Sequence, residues 1–132
     1  MKIIVLAGGL SPERDVSLIS GAGICKTLRE SGHQAYLLDV YFGLPYDADK
    51  LDEVFDLPDA GLGIAEGIKT TMPDLDALKK SRPDQSDCYL GPNVIELCRM
   101  ADITFMALHG SVGENGKLQS TFDILGIRYT GP

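Results

Sequence analysis

The chain has 132 residues, enough for one domain with one core. Its 44% hydrophobic content is ordinary for a soluble globular protein, and no apolar run approaches the roughly 20 residues that a membrane-spanning helix needs. The formal net charge is −7, and residues 41–90 carry eleven acids against five bases, so one segment holds most of the excess; we read it as solvation, and the lack of a basic patch argues against nucleic-acid binding.

The opening MKIIVLAGG sets a single Lys before an apolar run that is too short for a signal peptide and ends in Gly-Gly. A buried strand over 2–7 is the better reading, and with no targeting signal the expected location is the cytoplasm. Gly8-Gly9 then allow a tight turn. Ser11 before Pro12 resembles a helix N-cap with Pro at the first helical position, and Asp15 is a second candidate cap. Leu18, Ala22, Cys25 and Leu28 form an apolar stripe at helical spacing, and Ser31-Gly32 closes the helix. Residues 34–40 read as a second strand, completing a βαβ unit whose crossover is expected to be right-handed.

Residues 41–91 break any long period with Pro45, Pro58, Pro73, Pro83, Gly61, Gly63 and scattered acids. They read as an elaborated, variable insertion with short helical turns near 49–56 and 74–81, too long for a plain loop in a compact domain. Order returns at Gly91-Pro92. Val94, Leu97, Cys98 and Ala101 mark a short amphipathic helix, 102–107 a third strand, Leu118, Phe122 and Leu125 another helix closed by Gly126, and 127–130 a last short strand. The expected fold is α/β: a three-layer, Rossmann-like sandwich around a mostly parallel sheet of about four strands. Cys25, Cys88 and Cys98 form no CxxC pair and no metal-ligand spacing, so they read as free thiols and no metal site is expected.

The first and third strands both end in glycine-rich turns that open into helices, and in a parallel sheet both turns lie at the same carboxyl edge. The first turn carries Glu13, Arg14, Asp15 and Ser17; the second carries His109, Ser111, Glu114 and Asn115. Helix N-termini add free N–H groups and partial positive charge, so such an edge suits a zwitterion or an anion. Each residue also has a plainer role: His109 as a structural strand-end histidine, Glu13 as a partner of the helix dipole, Glu114 as a solvated loop acid, and His33 as an exposed turn residue. No base stands near Ser17 to activate it as a nucleophile. AGGLSPERD is not GxGxxG and there is no P-loop, although Asp39 at the end of the second strand leaves a nucleotide fold open.

Taken together, the two segments resemble the amino-terminal domain of D-alanine–D-alanine ligases. The family's GG-x-S-x-E-x-x-V-S-L-x-S-G is matched by GGLSPERDVSLISG at 8–21. Its second signature, a strand ending in LHG, then GE-(D/N)-G, a helix with Gln and a GI-x-Y-T-G ending, is matched by ALHGSVGENGKLQSTFDILGIRYTG at 107–131. The resemblance covers 1–40 and 92–132 and says little about 41–91.

It implies an enzyme that joins two D-alanines for peptidoglycan synthesis: ATP phosphorylates the first carboxylate and the second amine attacks the acylphosphate. Glu13 matches the glutamate that holds the first ammonium and is the catalytic candidate. Val16 matches a position near the substrate methyl group. Ser17, His109 and Glu114 complete the implied substrate-binding set. Asn115 stands where Asp is commoner, and Arg14-Asp15 replaces the frequent His-Glu pair. ATP and Mg2+ (or Mn2+) are implied for the full-length enzyme, held by ATP-grasp domains that residues 1–132 do not contain. This chain alone is therefore expected to bind no cofactor and to be inactive. The implied partners are D-alanine, the ATP-grasp domains and a second copy through this domain, with no nucleic acid and no membrane. The alternatives are a D-alanyl-D-lactate or D-alanyl-D-serine ligase and a non-catalytic, Rossmann-like nucleotide-binding or assembly module.

Overall fold

The computed structural model describes residues 1–9, 14–44, 48–56, 61, 90–108 and 117–130. The apolar run KIIVLA becomes strand β1 (Lys2–Ala7), buried on both faces as an inner parallel strand requires. It pairs in parallel with β2 (Gln34–Asp39), from Lys2 opposite Gln34 to Ala7 opposite Asp39. On its other side it pairs with β3 (Ile103–Met106), from Ile3 opposite Ile103 to Leu6 opposite Met106. A two-residue strand β4 (Tyr129–Thr130) lies outside β3, so the order is β2-β1-β3-β4 and every pairing is parallel. The sequence reading of a four-stranded α/β sandwich holds.

Strand alternation divides the core in two. Ile3, Val5, Ala7, Ala35 and Leu37 meet helix α1 (Arg14–Glu30) through Leu18 and Cys25. Ile4, Leu6, Leu38 and Met106 face the opposite layer. That layer comprises a 3-10 helix (Ala48–Asp56), helix α2 (Val94–Met100) and helix α3 (Lys117–Leu125), which bring Phe55, Leu97 and Phe122 to the sheet.

The element boundaries differ from expectation for local reasons. α1 starts at Arg14, so Asp15 lies inside its first turn and is not a cap; its charge still suits the positive helix end. Ser11 and Pro12 lie outside the described residues, as does the helical turn expected near 74–81. α1 closes with a Schellman motif, Gly32 N–H to Arg29 O at 3.0 Å and His33 N–H to Leu28 O at 3.1 Å, which leaves His33 half-buried and not exposed. α3 ends the same way: Gly126 takes a left-handed φ of 72°, and Ile127 N–H returns 2.9 Å to Phe122 O. Ile127 is thereby committed to the helix end, and β4 is shorter than the 127–130 expected. β2 stops at Asp39 because the chain turns, with Gly43 N–H bonding Asp39 O at 2.8 Å.

Part of the 41–91 segment belongs to the core, since Leu51, Val54 and Phe55 are all buried. The segment's two ends are joined. Gly91 N–H bonds Val40 O and Leu44 N–H bonds Pro92 O, both at 2.8 Å. The backbones meet so closely that a side chain at Gly43 would stand 2.2 Å from Pro92 O.

α1 approaches the sheet at Gly21, where a Cβ would stand 2.9 Å from both Ala7 Cβ and Leu37 Cδ1. Two residues on, Gly23 faces open space. Gly23→Ala should therefore stabilise by about 0.5–1 kcal/mol through helix propensity. Gly21→Ala should destabilise by about 1–3 kcal/mol, because α1 must back away from β1. Urea unfolding of the two variants checks both signs.

Cys25 and Cys98 are buried free thiols, as expected. Burial pushes them from the ordinary 9.0 up to about 11 and about 12, partly opposed at Cys25 by the charge of Arg29 and at Cys98 by a hydrogen bond with Thr104. Below pH 9 both are protonated in the folded and unfolded chain alike. Above it the unfolded chain releases protons that the folded chain keeps, so stability falls as pH rises. The melting temperature should drop between about pH 9 and pH 11. The slope of that drop should be smaller in Cys98→Ala, whatever that variant's absolute stability.

Candidate functional site

β1 and β3 are neighbours at the centre of the sheet, yet their following helices pack on opposite faces. Adjacent parallel strands whose connections part in this way leave a crevice at their carboxyl ends, where open α/β sheets bind ligands. The two glycine-rich motifs begin at those ends. The expectation that they share an edge is met, and they are immediate neighbours on it, one strand spacing or about 4.8 Å apart.

Ser17 joins them. It lies in the first turns of α1 with no solvent exposure. Its hydroxyl accepts a 3.0 Å hydrogen bond from Gly8 N–H and donates a 2.7 Å bond to Ala107 O. Gly8 is the first residue past β1 and Ala107 the first past β3, so one side chain satisfies a backbone group from each strand end as the ladder stops.

A second cluster lies on the β2 side. The Arg14 guanidinium pairs with Asp39 Oδ2 and donates a 3.0 Å bond to Gly9 O. Asp39 Oδ1 accepts from Gly9 N–H at 3.4 Å, Tyr41 N–H at 2.9 Å and Phe42 N–H at 3.2 Å. The Phe42 ring lies 4.9 Å from the guanidinium carbon. Both ionic side chains are buried, and Gly8 passes so near that a Cβ there would stand 2.9 Å from the Asp39 carboxylate. Asp39 is thus spent on the protein's own chain and is not presented to a ribose.

Of the candidate site residues, Val16 and Ser17 are placed by the structure, while Glu13, His109 and Glu114 lie outside the described residues. Val16 sits one residue before Ser17 with its side chain 58% exposed, an accessible apolar group at this edge. Two concavities occur elsewhere. One of about 290 Å³ lies near Asp102 and Arg128, at the opposite, amino-terminal ends of β3 and β4. The other, about 500 Å³ and apolar, runs along α1 from Ile19 to Leu28 beside Phe105.

The sequence reading missed the linked roles of Arg14 and Asp39. A signal was present: an arginine at the start of a helix opposes the helix dipole, so an acidic partner was to be sought, and Asp39 ends the neighbouring strand.

These features define a doubly wound α/β domain whose ligand edge carries two joined glycine-rich loops. The family model for the D-ala D-ala ligase N-terminus matches residues 2–132, and the chain belongs to that family. It is 46% identical to a D-alanine–D-alanine ligase of Lacticaseibacillus casei over 99% of this chain and 36% of the relative. It is 40% identical to that of Pediococcus pentosaceus over 99% and 37% respectively. The chain thus spans little more than a third of the length of these relatives. The fold resembles that of the Bacillus anthracis D-alanine–D-alanine ligase solved in complex with ATP, with a TM-score of 0.52 and 22% identity over 98% of this chain and 28% of that one.

Removing the Ser17 hydroxyl leaves the Gly8 N–H and the Ala107 C=O buried without it. Ser17→Ala should cost about 1–3 kcal/mol of stability. Hydrogen exchange at Gly8 should accelerate more than at mid-β1 amides such as Val5. Unchanged exchange at Gly8 would show that the bridge does not hold the loop.

Proposed function

We propose that residues 1–132 act as the substrate-binding amino-terminal domain of an ATP-dependent ligase that joins two D-alanines into D-alanyl-D-alanine for peptidoglycan synthesis. The observation that carries this reading is the adjacency, at the sheet's switch point, of the two segments that match the family's signatures. Identity of 46% across nearly the whole chain to a ligase of that name supports it. In this reading the domain is 1–132 with a variable stretch at 41–91, the enzyme works in the cytoplasm, and a second copy pairs through this domain. Among the described residues no helix is long and apolar enough to cross a membrane.

Glu13, one residue before α1, holds the ammonium of the first D-alanine, a charge-assisted contact that fixes the substrate's orientation. The exposed side chain of Val16 lies toward the methyl group. The N-terminus of α1 favours the negative charge of the reacting carboxyl. His109 and Glu114, from the loop after β3, orient the same substrate. Ser17 serves the pocket through the two strand ends it joins.

ATP supplies the phosphoryl group that activates the first carboxylate. Among the described residues no group of three or more His, Cys, Asp or Glu is placed to hold a metal ion, so these residues do not fit Mg2+ or Mn2+. We assign ATP and the metal to ATP-grasp domains in the part of the ligase beyond the region matched here. Dipeptide synthesis accordingly requires those domains.

Glu13→Gln in the full-length enzyme tests the assignment. It should raise KM for the first D-alanine about 10- to 100-fold, roughly 1.4–2.8 kcal/mol, and leave KM for ATP within about twofold. Unchanged first-site kinetics would remove Glu13 from the ammonium site. The isolated chain serves as the control and should form no dipeptide.

A further inference from the structure

We propose that Arg14 and Asp39 form a positioning pair that sets where Glu13 stands, by holding both ends of the Leu10–Glu13 segment. The inference rests on the reading of Glu13 as the ammonium's partner and adds two residues to that site.

Both backbone polar groups of Gly9 are taken by the pair. Its carbonyl accepts from Arg14 Nη1 at 3.0 Å, and its N–H donates to Asp39 Oδ1 at 3.4 Å. Gly9 and Arg14 bracket a stretch of four residues, and the guanidinium that begins α1 reaches back to close it. A short segment tied at both ends has few conformations left, and its last residue is the carboxylate the substrate requires. The pair is itself held from a third direction. Asp39 Oδ1 accepts from Tyr41 and Phe42 N–H, and the Phe42 ring stacks 4.9 Å from the guanidinium. Asp39 sits opposite Ala7 in the β1–β2 ladder, so the frame of reference is the sheet.

Stability alone explains this arrangement poorly. A cation at a helix N-terminus opposes the dipole, and a buried ion pair seldom outperforms apolar packing once desolvation is counted. What such a pair does supply is fixed geometry. The planar fork of arginine addresses Asp39 Oδ2 and Gly9 O at once, which a lysine ammonium on a flexible stem does not reproduce. The pair is placed to fix direction, and the residue it directs is the one before Arg14.

The test is a double-mutant cycle in the full-length ligase carrying this domain, comparing wild type, Arg14→Lys, Glu13→Gln and the double variant. First-site KM for D-alanine, KM for ATP and kcat are measured, with melting temperature as the folding control. Arg14→Lys should raise first-site KM about 10-fold and leave KM for ATP within about twofold. In the Glu13→Gln background the same change should add less than about twofold, because its effect passes through Glu13. Should Arg14→Lys not fold, Asp39→Asn replaces it in the cycle under the same criteria. Fully multiplicative effects, or an unchanged first-site KM in a folded Arg14→Lys enzyme, would overturn the positioning role while leaving Glu13 in place. A Glu13→Gln enzyme with unaltered first-site KM would instead overturn the reading beneath it, and the pair's role with it.

Discussion

The close seating of α1 against β1 is the constraint on which the rest of the structure depends. A helix can come near enough for Ser17 to bridge Gly8 N–H and Ala107 O only if the next turn has no side chain in the way, and Gly21 meets that need against Ala7 and Leu37. The bridge in turn pins together the ends of the two inner strands, at the point where the chain parts toward opposite faces of the sheet. Had α1 stood further off, the two strand ends would carry unmatched backbone groups, and the loops that follow them would not share a floor. Packing distance, polar satisfaction and site geometry are thus one condition met by Ser17 and Gly21, two of the smallest side chains in the helix.

The carboxyl edge also gathers charge in an unusual way for a helix start. Asp15 agrees with the dipole of α1 and Arg14 opposes it. The conflict is settled within the protein by Asp39, whose second oxygen at the same time collects three backbone N–H groups. The buried pair is therefore almost wholly internal in its bonding. It leaves the helix N–H groups and any carboxylate on the preceding residue to face outward. The division places fixed charges beneath the edge and ligand-facing groups above it, an arrangement that resists rearrangement when a zwitterion arrives.

The elements were legible in the sequence where one physical signal dominated. KIIVLA and ITFMAL are continuous apolar runs, and only an inner parallel strand buries such runs on both faces. α1 was legible from its stripe at Leu18, Ala22, Cys25 and Leu28, but that stripe missed the true contact line, which runs through Ser17 and Gly21 because close approach favours small residues over large ones. The 3-10 helix at 48–56 was seen only as a helical turn. Asp49, Asp52, Glu53 and Asp56 outweigh Leu51, Val54 and Phe55 in any composition count, although the three apolar residues alone decide burial. The Arg14–Asp39 pair was not legible as a pair, since 25 residues separate its members and only the β1–β2 register brings Asp39 to Gly9. The same holds for Gly43 and Gly91, whose contact depends on the return path of a segment with no period of its own.

That return path explains how a variable stretch can coexist with an ordered edge. Residues 40–44 and 90–93 are tied by three hydrogen bonds: Gly91 N–H to Val40 O, Leu44 N–H to Pro92 O, and Asn93 Nδ2 to Leu44 O at 2.7 Å. Closing the base of an excursion in this way makes its length nearly irrelevant to what lies outside it, because the entropic cost of a longer loop grows only logarithmically. The two joined loops draw their positions from β1, α1, β3 and the turn after Asp39, all outside the excursion. The domain can therefore absorb change between its second strand and α2 while the distance between its two signature segments stays set by the width of one strand pair.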